Sequence, residues 1–256
     1  MPTALALSPH LDDAAFSCGG TLATLAEAGW RVVMATVFTG SVPDPTGFAL
    51  ACQTDKGLSP AIDYMALRRD EDRAAARALG IAEPLHLPFR EAPHRGYGSA
   101  PELFAEIRPD DGIRPALAAA FRELVTEIAP DLILAPQAVG GHVDHVQVVR
   151  ALRDAAPAAS ILWWRDFPYS VRSDVPKEPL RADFTPLPPC AVGFEGEAQA
   201  RKAQACGAYA TQLGFQFGGP TGLAERLAQE GGVERFRRTG TLPPGLAGLV
   251  AADAAP

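Results

Sequence analysis

The chain has 256 residues, enough for one large domain with a core of its own, since domains commonly hold about 100–200 residues. Hydrophobic residues make up 47% and charged residues 21%, which places it among ordinary globular chains and outside disordered or collagen-like ones. With 23 basic against 30 acidic residues the net charge is −7, opposed to a surface that neutralises a phosphate backbone, so nucleic acid is not expected as a partner.

The four cysteines, at 18, 52, 190 and 206, are too scattered for a disulfide scaffold and form no C-x-x-C pair, in keeping with a reducing cytoplasm. The N-terminal MPTALALSPH has no basic region and meets proline and histidine early, so it does not read as a signal peptide. No apolar run is long enough to cross a bilayer, and no membrane insertion is expected.

In chain order, strands are predicted at 3–7, 31–38, 84–87, 132–135 and 161–164, and helices near 15–28, 62–80, 113–128 and 144–155. In the second helix Tyr64, Leu67, Ala74, Ala78 and Leu79 recur at helical spacing, and Gly80 follows as a stop. Alternating short apolar runs and helices imply an α/β fold with a mostly parallel sheet flanked by helices. From about Phe167 prolines at 168, 176, 179, 186, 188 and 189 break the pattern, which reads as a Pro-rich surface excursion. A last helix is expected over 195–213. Residues 1–240 then form one domain and 241–256 a flexible tail.

Two clusters carry the chemistry. Ser8-Pro9-His10-Leu11-Asp12-Asp13 falls where the first strand turns toward its helix, the end of an open α/β sheet at which ligands bind. His10 and Asp13, three positions apart, are placed to share one cation, and Asp12 between them is left for proton transfer; the alternative is a helix cap beside a loop histidine. Gly140-Gly141-His142-Val143-Asp144-His145 occupies the same kind of turn after 132–135. His10, Asp13 and His145 then make three protein ligands with a fourth position open, as in a catalytic zinc site, where water loses its proton near a pKa of roughly 7. Asp12 serves as general base, His142 as donor to the oxyanion and leaving group, and Asp144 as the group that orients the His142 ring.

These clusters resemble the two signature motifs of the PIG-L/LmbE-like zinc N-deacetylases, His-Pro-Asp-Asp-Glu and His-Pro-Asp-His. Arg68-Arg69-Asp70-Glu71, running into Ala78-Leu79-Gly80, and a late Lys202 with Tyr209 and Gln212 agree with the same family, so the resemblance spans residues 3 to about 213. It implies a Rossmann-like domain holding Zn2+, or another divalent metal such as Fe2+, that hydrolyses the N-acetyl group of an amino sugar or glucosamine conjugate. It puts the ligands on His10, Asp13 and His145, the base on Asp12 and the oxyanion donor on His142. Leu11, Ala14 and Val143 depart from the motifs without removing a ligand. Some members carry a catalytic tyrosine two residues before the second-motif histidine, where this chain has Gly140.

For substrate binding the resemblance points to Arg68 and to the loop containing Arg90 and Arg95, cations suited to an anionic sugar. Trp163-Trp164 and His86 read as core, and Gly19-Gly20 as a close-packing feature of the first helix. A metal-dependent phosphoester hydrolase and a non-catalytic sugar-binding member remain as alternatives. The substrate's identity, the acyl group and the oligomeric state, homo-oligomer included, stay open.

Overall fold

A computed structural model describes residues 1–244, 246 and 248–251. Its sheet runs in the order β3-β2-β1-β4-β5-β7-β6-β8. The parallel block comprises β1 (Thr3–Ser8), β2 (Arg31–Thr36), β3 (Leu85–His86), β4 (Leu132–Pro136) and β5 (Ser160–Trp164). Antiparallel strands β6 (Pro189–Gly193), β7 (Val233–Thr239) and β8 (Val250–Ala251) extend it past β5. The protein is thus an α/β fold with a mixed, mostly parallel sheet.

The two-residue period of β1 divides the core. Ala4 and Ala6 face one layer, with α1 (Asp13–Glu27), α3 (Tyr64–Leu79) and α9 (Gly196–Gly207), whereas Leu5 and Leu7 face the other, with α5 (Arg114–Ile128) and α6 (Val143–Ala155). The remaining helices are α2 (Gly47–Thr54), α4 (Ala100–Leu103), α7 (Tyr169–Arg172), α8 (Arg181–Phe184), α10 (Ala210–Phe217) and α11 (Pro220–Glu230). Gly80 ends α3 in the left-handed region, at φ 72°.

β1 lies between β2 and β4, and the chain leaves these central strands in opposite directions, so a crevice opens beyond their carboxyl ends. The turn from β1 into the start of α1 carries His10, Asp12 and Asp13, and the turn from β4 into the start of α6 carries His142 and His145. Strand pairing of Ala6 with Leu134 therefore brings together donors far apart in sequence.

Several expectations change. The helix anticipated over 195–213 is broken into α9 and α10, because Tyr209 leaves helical geometry and sends its hydroxyl 2.7 Å to Asp72 Oδ1. The proline-rich stretch does not stand away from the body: Phe167, Leu180 and Phe184 are buried, and the Gly140 N–H donates to the Lys177 carbonyl at 2.7 Å. Of the tail from 241, Leu246 is buried and Val250 pairs with Val192; residues 245, 247 and 252–256 lie outside the described residues. No helix among the described residues is long and apolar enough to cross a membrane.

Candidate active site

The first turn of α1 is capped unusually. The Ala14 N–H donates to Ser8 Oγ at 3.0 Å, so the N-cap residue Asp12 makes no capping bond and its carboxylate turns into the cavity. Asp13 is pinned instead by the His10 backbone N–H, 2.8 Å from Oδ2. The α6 terminus is capped by an imidazole: the Asp144 N–H donates to His142 Nδ1 at 3.2 Å. With Nδ1 accepting, the proton of a neutral His142 resides on Nε2.

Ring nitrogens of His10, His142 and His145 lie within 4.8 Å of one another, a cluster able to hold a metal ion. A tighter triangle lies inside it. Asp13 Oδ2 is 3.2 Å from His10 Nδ1 and 3.1 Å from His145 Nε2, and those nitrogens are 3.3 Å apart. A tetrahedral zinc with bonds near 2.0–2.1 Å requires donors about 3.3 Å apart, so the three atoms fit an ion of that size.

The far side of each imidazole is fixed as metal-binding histidines usually are. His145 Nδ1 meets Asp166 Oδ1 at 2.6 Å, and Asp166 Oδ2 accepts the Val139 N–H at 2.8 Å. His10 Nε2 meets Asp144 Oδ2 at 3.0 Å. Asp144 in turn accepts from the Ala92 N–H at 3.0 Å and from Arg95 at 2.7 Å, and Arg95 also grips Asp111. Asp144 therefore orients His10 through its carboxylate and meets His142 only through its backbone, which corrects the expected Asp144–His142 side-chain pairing.

The electrostatics favour a cation. Burial depresses His145, yet Asp13 and Asp166 outweigh it and lift the imidazole to about 9. Burial also pushes the Asp12 carboxyl up to about 7, with Asp13 adding to the shift and Arg68 opposing it. His142 falls to about 3 through burial and the neighbouring imidazole of His10, so it stays neutral.

Of the three predicted arginines, one reaches the cavity. Arg68 is buried there, with Nη1 2.5 Å from Glu91 Oε1 and Nη2 4.0 Å from Asp12 Oδ1. Arg90 is exposed and Arg95 is held behind the site by Asp111 and Asp144; neither lines the cavity. The bonds of Arg95 to two carboxylates, not visible in a linear motif, explain its removal from substrate.

Two residues were missed by the sequence reading. Asp166, two positions after β5, holds His145, and Tyr169 lines the cavity with its ring centroid 6.3 Å from that of His145. Gly140 makes room for that ring: at its φ of 92° an added Cβ would come within 2.6 Å of Tyr169 Cγ. Burial raises the Tyr169 hydroxyl, as do the charges of Asp13 and Asp12, so the phenol stays protonated. The motif departures pack locally: Leu11 meets Tyr64 and Met65, and Val143 meets Ala92 and Tyr97. His86 is satisfied by Asp72 at 2.9 Å and both tryptophans are buried.

Residues 5–156 match the family model described as PIG-L: GlcNAc-PI de-N-acetylase, more than half of the chain. The chain belongs to the PIG-L family. Among curated PIG-L-like relatives it is 37% identical over 172 residues to 2'-N-acetylparomamine deacetylase of Streptomyces fradiae, covering 66% of this chain and 58% of that protein. The chain thus spans less than two thirds of that relative's length. It is 32% identical over 257 aligned positions to the 1D-myo-inositol 2-acetamido-2-deoxy-alpha-D-glucopyranoside deacetylase of Nakamurella multipartita, with 88% and 84% covered. Among solved PIG-L-like structures, the zinc inhibited form of teicoplanin deacetylase Orf2 superimposes with a TM-score of 0.78 at 26% identity, over 93% of this chain and 98% of that one.

Proposed function

We propose that the chain is a metal-dependent amidohydrolase that removes an N-acyl group, in the first place acetyl, from an amino sugar or a conjugate of one. The observation that carries this is the triangle of His10 Nδ1, Asp13 Oδ2 and His145 Nε2 beside the uncommitted Asp12 carboxylate. The named relatives, each a deacetylase and two of them named for an N-acetylated or acetamido substrate, support the same reading.

His10, Asp13 and His145 would hold the ion, and two imidazoles with one carboxylate are a donor set suited to Zn2+. Bound there, the metal would supply Lewis acidity, easing loss of a proton from water and polarising the amide carbonyl. Asp12, its carboxyl raised to about 7 and making no capping bond, takes the proton of the attacking water at its carboxylate and returns it to the departing amine nitrogen. The products are a carboxylate and a free amine. His142 Nε2–H donates to the developing oxyanion, and Tyr169, which also lines the cavity, offers its hydroxyl as a second donor. Arg68, braced by Glu91, keeps positive charge beside Asp12 and limits how far its pKa rises.

The phosphoester alternative usually needs two metals about 3.5–4 Å apart, hence more ligands. Among the described residues one histidine cluster offers a metal site. Incubating metal-loaded protein with N-acetylglucosamine glycosides and, separately, with a phosphodiester tests the reading. Stoichiometric release of acetate and amine is expected; phosphodiester cleavage, or sugar binding without turnover, contradicts it.

A further inference from the structure

Gly19 and Gly20 of α1 and Lys202 of α9 take no part in the chemistry above, yet they meet at a defect in α1. Cys18, at φ −141° and ψ 19°, leaves helical geometry, so α1 consists of a first turn from Asp13 to Ser17 and a longer run from Gly19. In an unbroken helix the Gly20 and Thr21 N–H groups would donate to the Phe16 and Ser17 carbonyls, four positions back. Here both find a carboxylate from β7. The Gly20 N–H donates to Glu234 Oε1 at 2.9 Å and the Thr21 N–H to Oε2 at 2.7 Å, with the Thr21 hydroxyl adding a bond to Oε2 at 2.5 Å.

Glu234 is buried, and Lys202 Nζ answers its charge at 2.7 Å while also meeting Glu230 at 2.6 Å. Lysine and glutamate are seldom buried unless paired, and Lys202 is only 1% exposed. Bare backbone lets this cluster approach. A Cβ on Gly19 would lie 3.3 Å from Lys202 Cγ, and one on Gly20 would lie 2.5 Å from the Phe194 ring. Glycines weaken a helix interior, so two of them beside a break mark a place where close approach outweighs helix stability.

The first turn links this break to the metal site at both of its ends. At its start, Asp13 Oδ2 completes the triangle with His10 and His145. At its end, Ser17 Oγ accepts the Phe167 N–H at 3.1 Å, next to Asp166, which holds His145. We propose that Glu234, charge-balanced by Lys202, is a positioning residue for the metal centre. By taking the Gly20 and Thr21 N–H groups it keeps α1 broken, and so aims the first turn, with Asp13, at His10 and His145. Without that carboxylate the two N–H groups return to Phe16 and Ser17, the helix straightens and Asp13 is drawn away from the triangle. The role rests on the ligand set proposed above.

Competition for zinc with a chromogenic chelator tests it, with urea unfolding of the same samples as the check on the fold. Glu234→Gln and Glu234→Leu both leave Lys202 paired with Glu230, so neither strands a buried cation. The glutamine keeps one acceptor oxygen and should weaken zinc binding about threefold, whereas the leucine keeps none and should weaken it at least about tenfold. A carboxylate that only stabilises the fold would lower the urea midpoint and leave zinc affinity unchanged. Wild-type affinity in Glu234→Leu therefore overturns the positioning role, and if that variant does not fold, wild-type affinity in Glu234→Gln does so. Failure of the wild type itself to bind zinc would overturn the ligand set and this role with it, whereas a zinc-binding wild type with variants of equal affinity overturns the role alone.

Discussion

Asp166 Oδ1 stands 2.6 Å from His145 Nδ1 and so leaves only Nε2 of that ring to face Asp13. The same carboxylate accepts the Val139 N–H, so the end of β5 fixes both the histidine's orientation and the loop that delivers it. Asp166→Asn should weaken zinc affinity by about 10–100-fold, the usual cost of losing such a support. Competition with a chromogenic chelator measures this; unchanged affinity would show that the ring is oriented by packing alone.

Asp12 and His145 should separate metal binding from proton transfer. Asp12→Ala is expected to retain zinc while losing about 10²–10⁴-fold in kcat, whereas His145→Ala should lose zinc as well. Metal analysis after desalting, with kcat on an N-acetylated amino sugar, checks both. Wild-type turnover in Asp12→Ala would remove its assignment as base.

His142 belongs to the wider histidine cluster, but its Nδ1 is occupied by the Asp144 N–H. If it acts on the oxyanion, His142→Ala lowers kcat by about 10²–10³-fold with metal content intact. Loss of metal in this variant would make it a ligand instead.

Asp111 should contribute stability with a defined pH dependence. Burial pushes its carboxyl up, but Arg95, Gln147 and Tyr97 more than offset this and hold it below the ordinary range. A carboxyl lowered in the folded state stabilises above its unfolded pKa, near 3.9, and that contribution disappears as pH falls through the folded value. Asp111→Asn should therefore cost about 1–3 kcal/mol at pH 7 and show a shallower fall in stability below pH 4. Urea unfolding at pH 7, 5 and 3 reads the difference; parallel curves for variant and wild type would contradict it.

The thiols should differ in reactivity. Cys18, Cys190 and Cys206 are buried, and burial raises the Cys206 thiol to about 12, while Cys52 is half-buried and lines the cavity. Iodoacetamide on the native protein should label Cys52 alone and slowly, against four sites in denaturant, as peptide mass mapping would show. Rapid native labelling of Cys206 would contradict its burial.

Much of the site was legible because each half is compact in sequence: His10 to Asp13 span one turn, as do His142 to His145, and both follow apolar strands. Asp166 and Tyr169 follow β5 as isolated residues whose importance comes only from what the fold sets against them. Strand β7 was hidden for a related reason. Its inward positions include Glu234, a charge that breaks the apolar pattern but is paired with Lys202 at 2.7 Å and with the Gly20 and Thr21 N–H groups. Arg95 looked available to substrate because its two carboxylate partners are distant in sequence.

The packing of Tyr169 on Gly140 makes those two positions mutually exclusive in size. A phenol grafted back at Gly140 would have to evict the ring already there, so Gly140→Tyr alone should impair the site, while pairing it with Tyr169→Ala should relieve the clash. Among related sequences the two sites are expected to covary, a bulky side chain at one accompanying a small one at the other.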